Sequence, residues 1–232
     1  MAEVTVRAAD GGSFSGYLAA PKSGKGPGVV VIQEIFGVNA VMRQITDGLA
    51  GQGFTAFCPD LFWRFKPGIQ ITDKTEAEWK MAVGYFQRFD VDKGVEDLKA
   101  SLAELRNHPA CSGKVGAVGF CLGGKLAYLM ATRTDVDCSV GYYGVGIQDA
   151  LGEAKNIKGA LLLHIANEDE FTPKPAQEQI KAGLKGNPHV TMYDYPGCAH
   201  AFARVGSTHY VADAAQKAGT RSLEFLRRHL GG

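Results

Sequence analysis

The stretch Val115-Gly-Ala-Val-Gly-Phe-Cys121-Leu-Gly-Gly124 decides the fold. A short apolar run from Lys114 to Phe120 reads as a strand, and Leu122 to Thr132 carries apolar residues at helical spacing. A strand that turns directly into a helix around Cys121 is the reading. So sharp a turn holds its central residue in a strained backbone conformation, and the residues two before and two after must be small; Gly119 and Gly123 meet that requirement. The Cys121 sulfur is then expected at the carboxyl edge of a sheet, near a helix N-terminus whose unpaired N–H groups favour thiolate. The backbone N–H of Leu122 points the same way and is a candidate oxyanion donor.

Outward from this turn the chain alternates. Toward the N-terminus, Gly28 to Ile32 is too short and β-branched for a helix, and Asn39 to Gln52 carries Val41, Ile45 and Leu49 at helical spacing. Phe54 to Cys58 is a strand and Gly94 to Asn107 a helix. Val4 to Arg7 and Phe14 to Ala19, either side of Gly11-Gly12, form an antiparallel edge hairpin. Toward the C-terminus, strands are expected at Ser139 to Tyr143, Ala160 to Ile165 and Val190 to Tyr195, and helices at Pro175 to Lys185 and Tyr210 to Leu230. Continuous apolar strands separated by helices imply the α/β class, a mostly parallel central sheet with helices on both faces. A single domain over 1–232 is expected. The segment Leu61 to Asp90, rich in aromatics and charges around Pro67-Gly68, reads either as a cover over the active site or as a surface insertion with a few buried rings.

Two downstream residues answer Cys121. Asp169 lies in Leu161-Leu-Leu-His-Ile-Ala-Asn-Glu-Asp169-Glu-Phe-Thr-Pro173, after an apolar strand, with Glu168 and Glu170 competing for its role. His200 lies in Tyr195-Pro-Gly-Cys-Ala-His200-Ala-Phe202, in the loop after the last strand. Of the other histidines, His164 reads as a satisfied core residue inside a strand, while His108, His189, His209 and His229 have no matching context. Nucleophile, acid and histidine occur in the order of the α/β-hydrolase fold, which differs from the orders in the chymotrypsin and subtilisin folds. No H-x-x-x-H, C-x-x-C or G-x-G-x-x-G is present, so neither a metal nor a nucleotide is expected.

Composition narrows the partner. Lysine plus arginine (25) nearly cancels aspartate plus glutamate (24), which leaves no field to hold nucleic acid or an anionic membrane. With 45% hydrophobic and 21% charged residues the chain is an ordinary globular one. The start, Met1 to Gly12, lacks an apolar h-region, and no apolar run approaches the roughly 20 residues of a membrane helix, so a cytoplasmic location is expected. The five cysteines, 58, 111, 121, 138 and 198, are odd in number and scattered, which argues against a disulfide framework.

Six blocks together resemble the dienelactone hydrolase family: Gln33-Glu-Ile-Phe-Gly-Val-Asn39, Cys58-Pro-Asp-Leu61, Val118 to Gly124, Val140-Gly-Tyr-Tyr-Gly-Val-Gly146, Glu168 to Pro173 and His200-Ala-Phe-Ala-Arg204. The resemblance implies carboxymethylenebutenolidase activity: hydrolysis of an enol lactone to maleylacetate in aromatic or chloroaromatic catabolism. No cofactor is implied, and the state implied is a monomer. It implies Cys121, Asp169 and His200 as the triad and the N–H groups of Leu122 and Ile35 as the oxyanion hole. Glu34 would contact the resting thiol, and a carboxylate there would raise the thiol's pKa by like-charge repulsion; a structural ion pair with Arg204 is the plainer reading of Glu34. Arg204 would bind the substrate carboxylate in a planar fork, and Phe36, Tyr143 and Trp79 would line the substrate pocket. Two departures stand out. The family's second carboxylate-binding arginine falls at Trp79, and alanine in place of serine follows His200.

Overall fold

In the computed structural model, which describes residues 2–231, the chain runs β1 (Ala2–Arg7), β2 (Ser13–Ala19), β3 (Gly26–Ile32), α1 (Ala40–Gly51), β4 (Thr55–Pro59), α2 (Glu76–Arg88), α3 (Val91–Asn107), β5 (Cys111–Phe120), α4 (Leu122–Arg133), β6 (Cys138–Tyr142), a 3-10 segment (Ile147–Asn156), β7 (Ala160–Ala166), α5 (Lys174–Leu184), β8 (Val190–Tyr195) and α6 (Ala212–Leu230). The strands are ordered β1-β2-β4-β3-β5-β6-β7-β8. The N-terminal hairpin pairs antiparallel, and β2 continues antiparallel onto β4. β3 with β4, β6 with β7 and β7 with β8 are parallel. This is the α/β architecture, mostly parallel, that the alternation predicts. The boundary between two compact units of the chain falls inside β5, after Gly116.

In the first unit every residue of β3 and β4 is buried, as expected of strands covered on both faces. Asn39 starts α1 by accepting the Met42 N–H at 3.2 Å, and α1 buries Met42, Thr46, Leu49 and Ala50. The segment after β4 contains a full helix, α2, that the sequence reading places in an irregular excursion. Thr75 caps it by accepting from the Glu78 N–H, while Glu78 Oε2 accepts from Thr72 and Thr75. Only Ala82 of α2 is buried. The aromatics around it are anchored: Phe62, fully buried, packs against Phe65, Tyr85 and Phe89 at 5.5–5.8 Å between centroids. α3 begins at Val91, three residues before the expected Gly94, because Asp90 caps it through the Lys93 N–H.

In the second unit β6 is wholly buried and β7 almost so. β8 is only half-buried, as suits the last strand of the order. α4 is buried from Leu122 to Thr132 except at Lys125. Its first turn lies against the end of β6, where a Cβ on Gly124 would sit 2.5 Å from the Tyr142 carbonyl oxygen. Only glycine permits that approach. α6 is amphipathic and buries Ala218, Ser222, Phe225, Leu226 and Leu230.

Candidate active site

The turn from β5 into α4 holds Cys121 at φ 56°, ψ −116°, a left-handed conformation that a residue with a Cβ rarely adopts. Its backbone is fully engaged. The N–H donates to the Tyr142 carbonyl at 3.1 Å, and the carbonyl accepts from the N–H groups of Gly124, Lys125 and Val145. A Cβ on Gly119 would meet the Gly123 carbonyl oxygen at 1.9 Å, so the strain is sustained by a glycine that cannot be replaced without moving the backbone. Leu122 is the first residue of α4, and the N–H groups of a first helical turn have no acceptor within the helix.

Asp169 is buried at 4% exposure in the loop after β7. Its Oδ1 accepts from the N–H groups of Phe171 (2.9 Å) and Thr172 (3.3 Å), and its Oδ2 accepts from His200 Nδ1 at 2.7 Å. The competing carboxylates are elsewhere: Glu168 is half-exposed and faces Lys174, and Glu170 is exposed. Gln177, buried on α5, donates Nε2 to the carbonyls of Ala166, Asn167 and Thr172, and so holds the whole Asp169 loop. The Thr172 hydroxyl ties that loop to the Gly144 carbonyl.

With Nδ1 committed to Asp169, the other ring nitrogen of His200 remains, and Cys121 is close enough to act on the charge of the ring. Burial disfavours the charged ring. The charges of Cys121 and Asp169 and the hydrogen bond to Asp169 outweigh it and raise His200 to about 10. The ring therefore holds its proton more tightly than a free imidazole. Edges or faces of two rings flank the imidazole, Tyr143 at 5.0 Å and Phe171 at 4.9 Å. The His200 carbonyl accepts from His209 Nδ1 at 3.1 Å. Cys121, Tyr143 and Ala201, all at this site, are the non-glycine residues with positive φ among the described ones, a concentration of strain typical of functional sites.

The sequence places Cys121, Asp169 and His200 on three loops, and the structure brings them together, Asp169 bonded to His200, Cys121 close enough to act on its charge, and Tyr143 against the ring. Sequence reasoning missed Gln177 and Phe171, and set aside His209. Phe171 lies inside a block already read as a site, two residues from Asp169; nothing local marks Gln177 or His209. His164 is the satisfied core residue expected, 1% exposed and bonded through both ring nitrogens.

Of the remaining candidates, Glu34, Ile35 and Phe36 follow β3 in the first unit and are all buried. Their loop is pinned by Gln33 Oε1, which accepts the Leu61 N–H, and by the Ile71 N–H, which donates to the Phe36 carbonyl. The Phe36 ring packs on half-buried Trp79 at 6.2 Å. Arg204 is half-buried in the turn after His200, its N–H bonded to the Ala201 carbonyl. Among the described residues, no three His, Cys, Asp or Glu side chains are grouped to hold a metal ion, and no helix is long and apolar enough to cross a membrane. The five cysteines are unbridged and buried.

The sequence profile of the dienelactone hydrolase family matches residues 14–230. A protein of Azospirillum brasilense provisionally named a carboxymethylenebutenolidase is 48% identical over the full length of both chains. The carboxymethylenebutenolidase of Pseudomonas putida is 40% identical over 96% of this chain and 94% of its own. Among solved structures, a dienelactone hydrolase-like promiscuous phosphotriesterase from metagenomic libraries superposes with a TM-score of 0.82 at 22% identity, covering 99% of each chain. At that identity the likeness shows the fold alone, the α/β-hydrolase fold.

Proposed function

The chain belongs to the dienelactone hydrolase family, and from that membership and the buried Cys-His-Asp line we propose that it hydrolyses the enol-lactone ring of a carboxylate-bearing dienelactone to maleylacetate. The observation that carries the reading is the bond from Asp169 Oδ2 to His200, with Cys121 at the strained β5–α4 turn close enough to raise the pKa of the ring. Cys121, as thiolate beside the imidazolium, adds to the lactone carbonyl. The oxyanion takes the Leu122 N–H, with the Ile35 N–H as the second donor that the family pattern supplies. The ring C–O bond breaks, the enolate leaves with a proton from His200, and the acyl group remains on sulfur as a thioester. His200, now neutral, takes a proton from water, whose oxygen displaces the thiolate. A thiolate is itself a good leaving group, so this order suits acyl groups whose other leaving group is better still, such as an enolate. Arg204 is assigned to the substrate carboxylate and Glu34 to the resting thiol, both by family pattern, in the aromatic-degrading context that pattern implies.

Trp79, packed on Phe36 where the family carries a second arginine, favours a second reading: a carboxylic ester or thioester with a larger apolar part. Steady-state hydrolysis of cis- and trans-dienelactone and of p-nitrophenyl acetate by wild type and Cys121→Ala distinguishes them. The proposal expects lactone turnover that the substitution abolishes. Wild-type inactivity on both lactone isomers with turnover of the aryl ester moves the assignment to the second reading, and undiminished turnover by Cys121→Ala overturns both.

A further inference from the structure

Beneath the catalytic loops, a line of buried polar side chains runs across the ends of three strands. Arg221 on α6 donates Nη1 to the Tyr195 hydroxyl at 3.2 Å. The Tyr195 hydroxyl meets His164 Nδ1 at 2.8 Å, His164 Nε2 meets Ser222 Oγ at 2.9 Å, and Ser222 Oγ meets the Tyr142 hydroxyl at 2.6 Å. His164, Ser222, Tyr142 and Tyr195 are 1–5% exposed. Each strand residue stands close to a catalytic departure point. Tyr142 ends β6 and is followed by Tyr143, whose ring meets His200. His164 lies in β7 five residues before Asp169, and Tyr195 ends β8 five residues before His200. Backbone bonds stitch the same ends together: the Tyr143 N–H donates to the His164 carbonyl, Asn167 N–H to the Tyr195 carbonyl, and Glu168 N–H to the Cys198 carbonyl. Phe120, immediately before Cys121, stacks on Tyr142 at 4.7 Å.

We propose that Tyr195, His164 and Ser222 are positioning residues for the triad, and that Arg221 sets the direction of their protons and so the tautomer of His164. Arg221 can only donate. The Tyr195 oxygen accepts from it, which leaves the single Tyr195 proton to go to His164 Nδ1. His164 is then the neutral Nε2–H tautomer and donates to Ser222, and either hydroxyl donates across the Ser222–Tyr142 link. In this order no donor faces a donor. The groups facing His164 are Tyr142 from β6, Tyr193 and Tyr195 from β8, and Arg221 and Ser222 from α6; Arg221, the one charged group among them, also lies over the Tyr193 ring at 3.8 Å. A half-satisfied buried network is costly, so removal of one hydroxyl is relieved by shifts at the strand ends. Those ends carry Asp169, His200 and Tyr143. The role deepens the proposed catalysis, since it concerns the same triad, but two of its readouts need no lactone.

The test uses Tyr195→Phe, which keeps the ring stacked on Phe202, Ser222→Ala, and Ser222→Thr, which restores a hydroxyl. For the two deleting variants, kcat for the working substrate is expected to fall about tenfold with KM changed less than about twofold, as for a small misplacement of catalytic groups. The pH profile of Cys121 alkylation by iodoacetamide is expected to shift, and Ser222→Thr to recover both. Unchanged kcat and alkylation profile in folded Tyr195→Phe and Ser222→Ala, with only a lowered melting temperature, overturn the role, as does failure of Ser222→Thr to recover either. Should the deleting variants not fold, nitrogen-15 imidazole spectra of the wild-type protein at pH 7 decide the matter: His164 as Nε2–H supports the proton order, and His164 as Nδ1–H overturns it.

Discussion

The Asp169 carboxylate takes three donors, two backbone N–H groups on Oδ1 and His200 Nδ1 on Oδ2. That division predicts what Asp169→Asn does. The amide oxygen is held by the Phe171 and Thr172 N–H groups, so the new NH2 faces His200 Nδ1 and turns that nitrogen into an acceptor. The ring proton then sits on Nε2, toward Cys121, and His200 can neither carry the charge nor take a proton from the thiol or from water. With the geometry otherwise intact, kcat should fall by about 10⁴, the order seen when the same change is made in a serine triad, with KM little altered. Steady-state kinetics check it, and a loss below tenfold removes Asp169 from the role of orienter. This is also the scale at which the sequence is most informative about the site. Cys121 and His200 are marked by local context, a tight turn and a late histidine after a strand, whereas Asp169 is one of three adjacent acidic residues that only the tertiary fold tells apart. Gln177 and His209 carry no such mark, since the carbonyls they bond are brought to them only by the tertiary fold.

At the level of elements, α4 must begin in contact with the end of β6 for Cys121 to donate its N–H to Tyr142. Gly124→Ala tests that dependence. The added Cβ meets the Tyr142 carbonyl oxygen at 2.5 Å and the Gly144 backbone at 2.8 Å, and a backbone atom cannot swing aside as a side chain can. The variant should lose about 1–3 kcal/mol of stability, the range for overpacking. It should also alkylate Cys121 with an altered rate, because α4 retreats from β6. Urea denaturation and iodoacetamide kinetics measure both, and wild-type behaviour in the two would show that the helix start is not so constrained. The strands and most helices are readable from hydrophobic period because β3, β4 and β6 are buried throughout and the helices bury one stripe. α2 is not. It buries a single residue, so it leaves little apolar period, and its signal is instead the Thr75-x-x-Glu78 cap. The strand order, with β2 beside β4 and β4 ahead of β3, follows from pairing between distant segments and leaves no mark in any one of them.

For the molecule as a whole, two buried histidines are shifted in opposite directions, and only one of them predicts how stability changes with pH. Burial, helped by the Arg221 charge, lowers His164 to about 3. Unfolding releases it to roughly 6.5, so the unfolded state binds the extra proton and stability is lost as pH falls from about 6.5 toward 3. His200 is raised to about 10 despite its burial, chiefly by Cys121 and Asp169. Taken alone, that would have the folded state bind an extra proton, but the Cys121 charge that helps to hold it is itself a proton given up, so the two offset each other and no net alkaline slope follows from the pair. His164 has no such partner, since it faces hydroxyls and the Arg221 guanidinium. Its limb involves one proton, a slope of about 1.4 kcal/mol per pH unit at most. Urea midpoints of the wild type should therefore fall as pH is lowered below about 6.5, and fall further than those of His164→Gln, which takes up no proton on unfolding. Equal falls in the two would mean that His164 is not held neutral in the folded protein, and the neutral tautomer on which the proposed proton order rests would have to be abandoned.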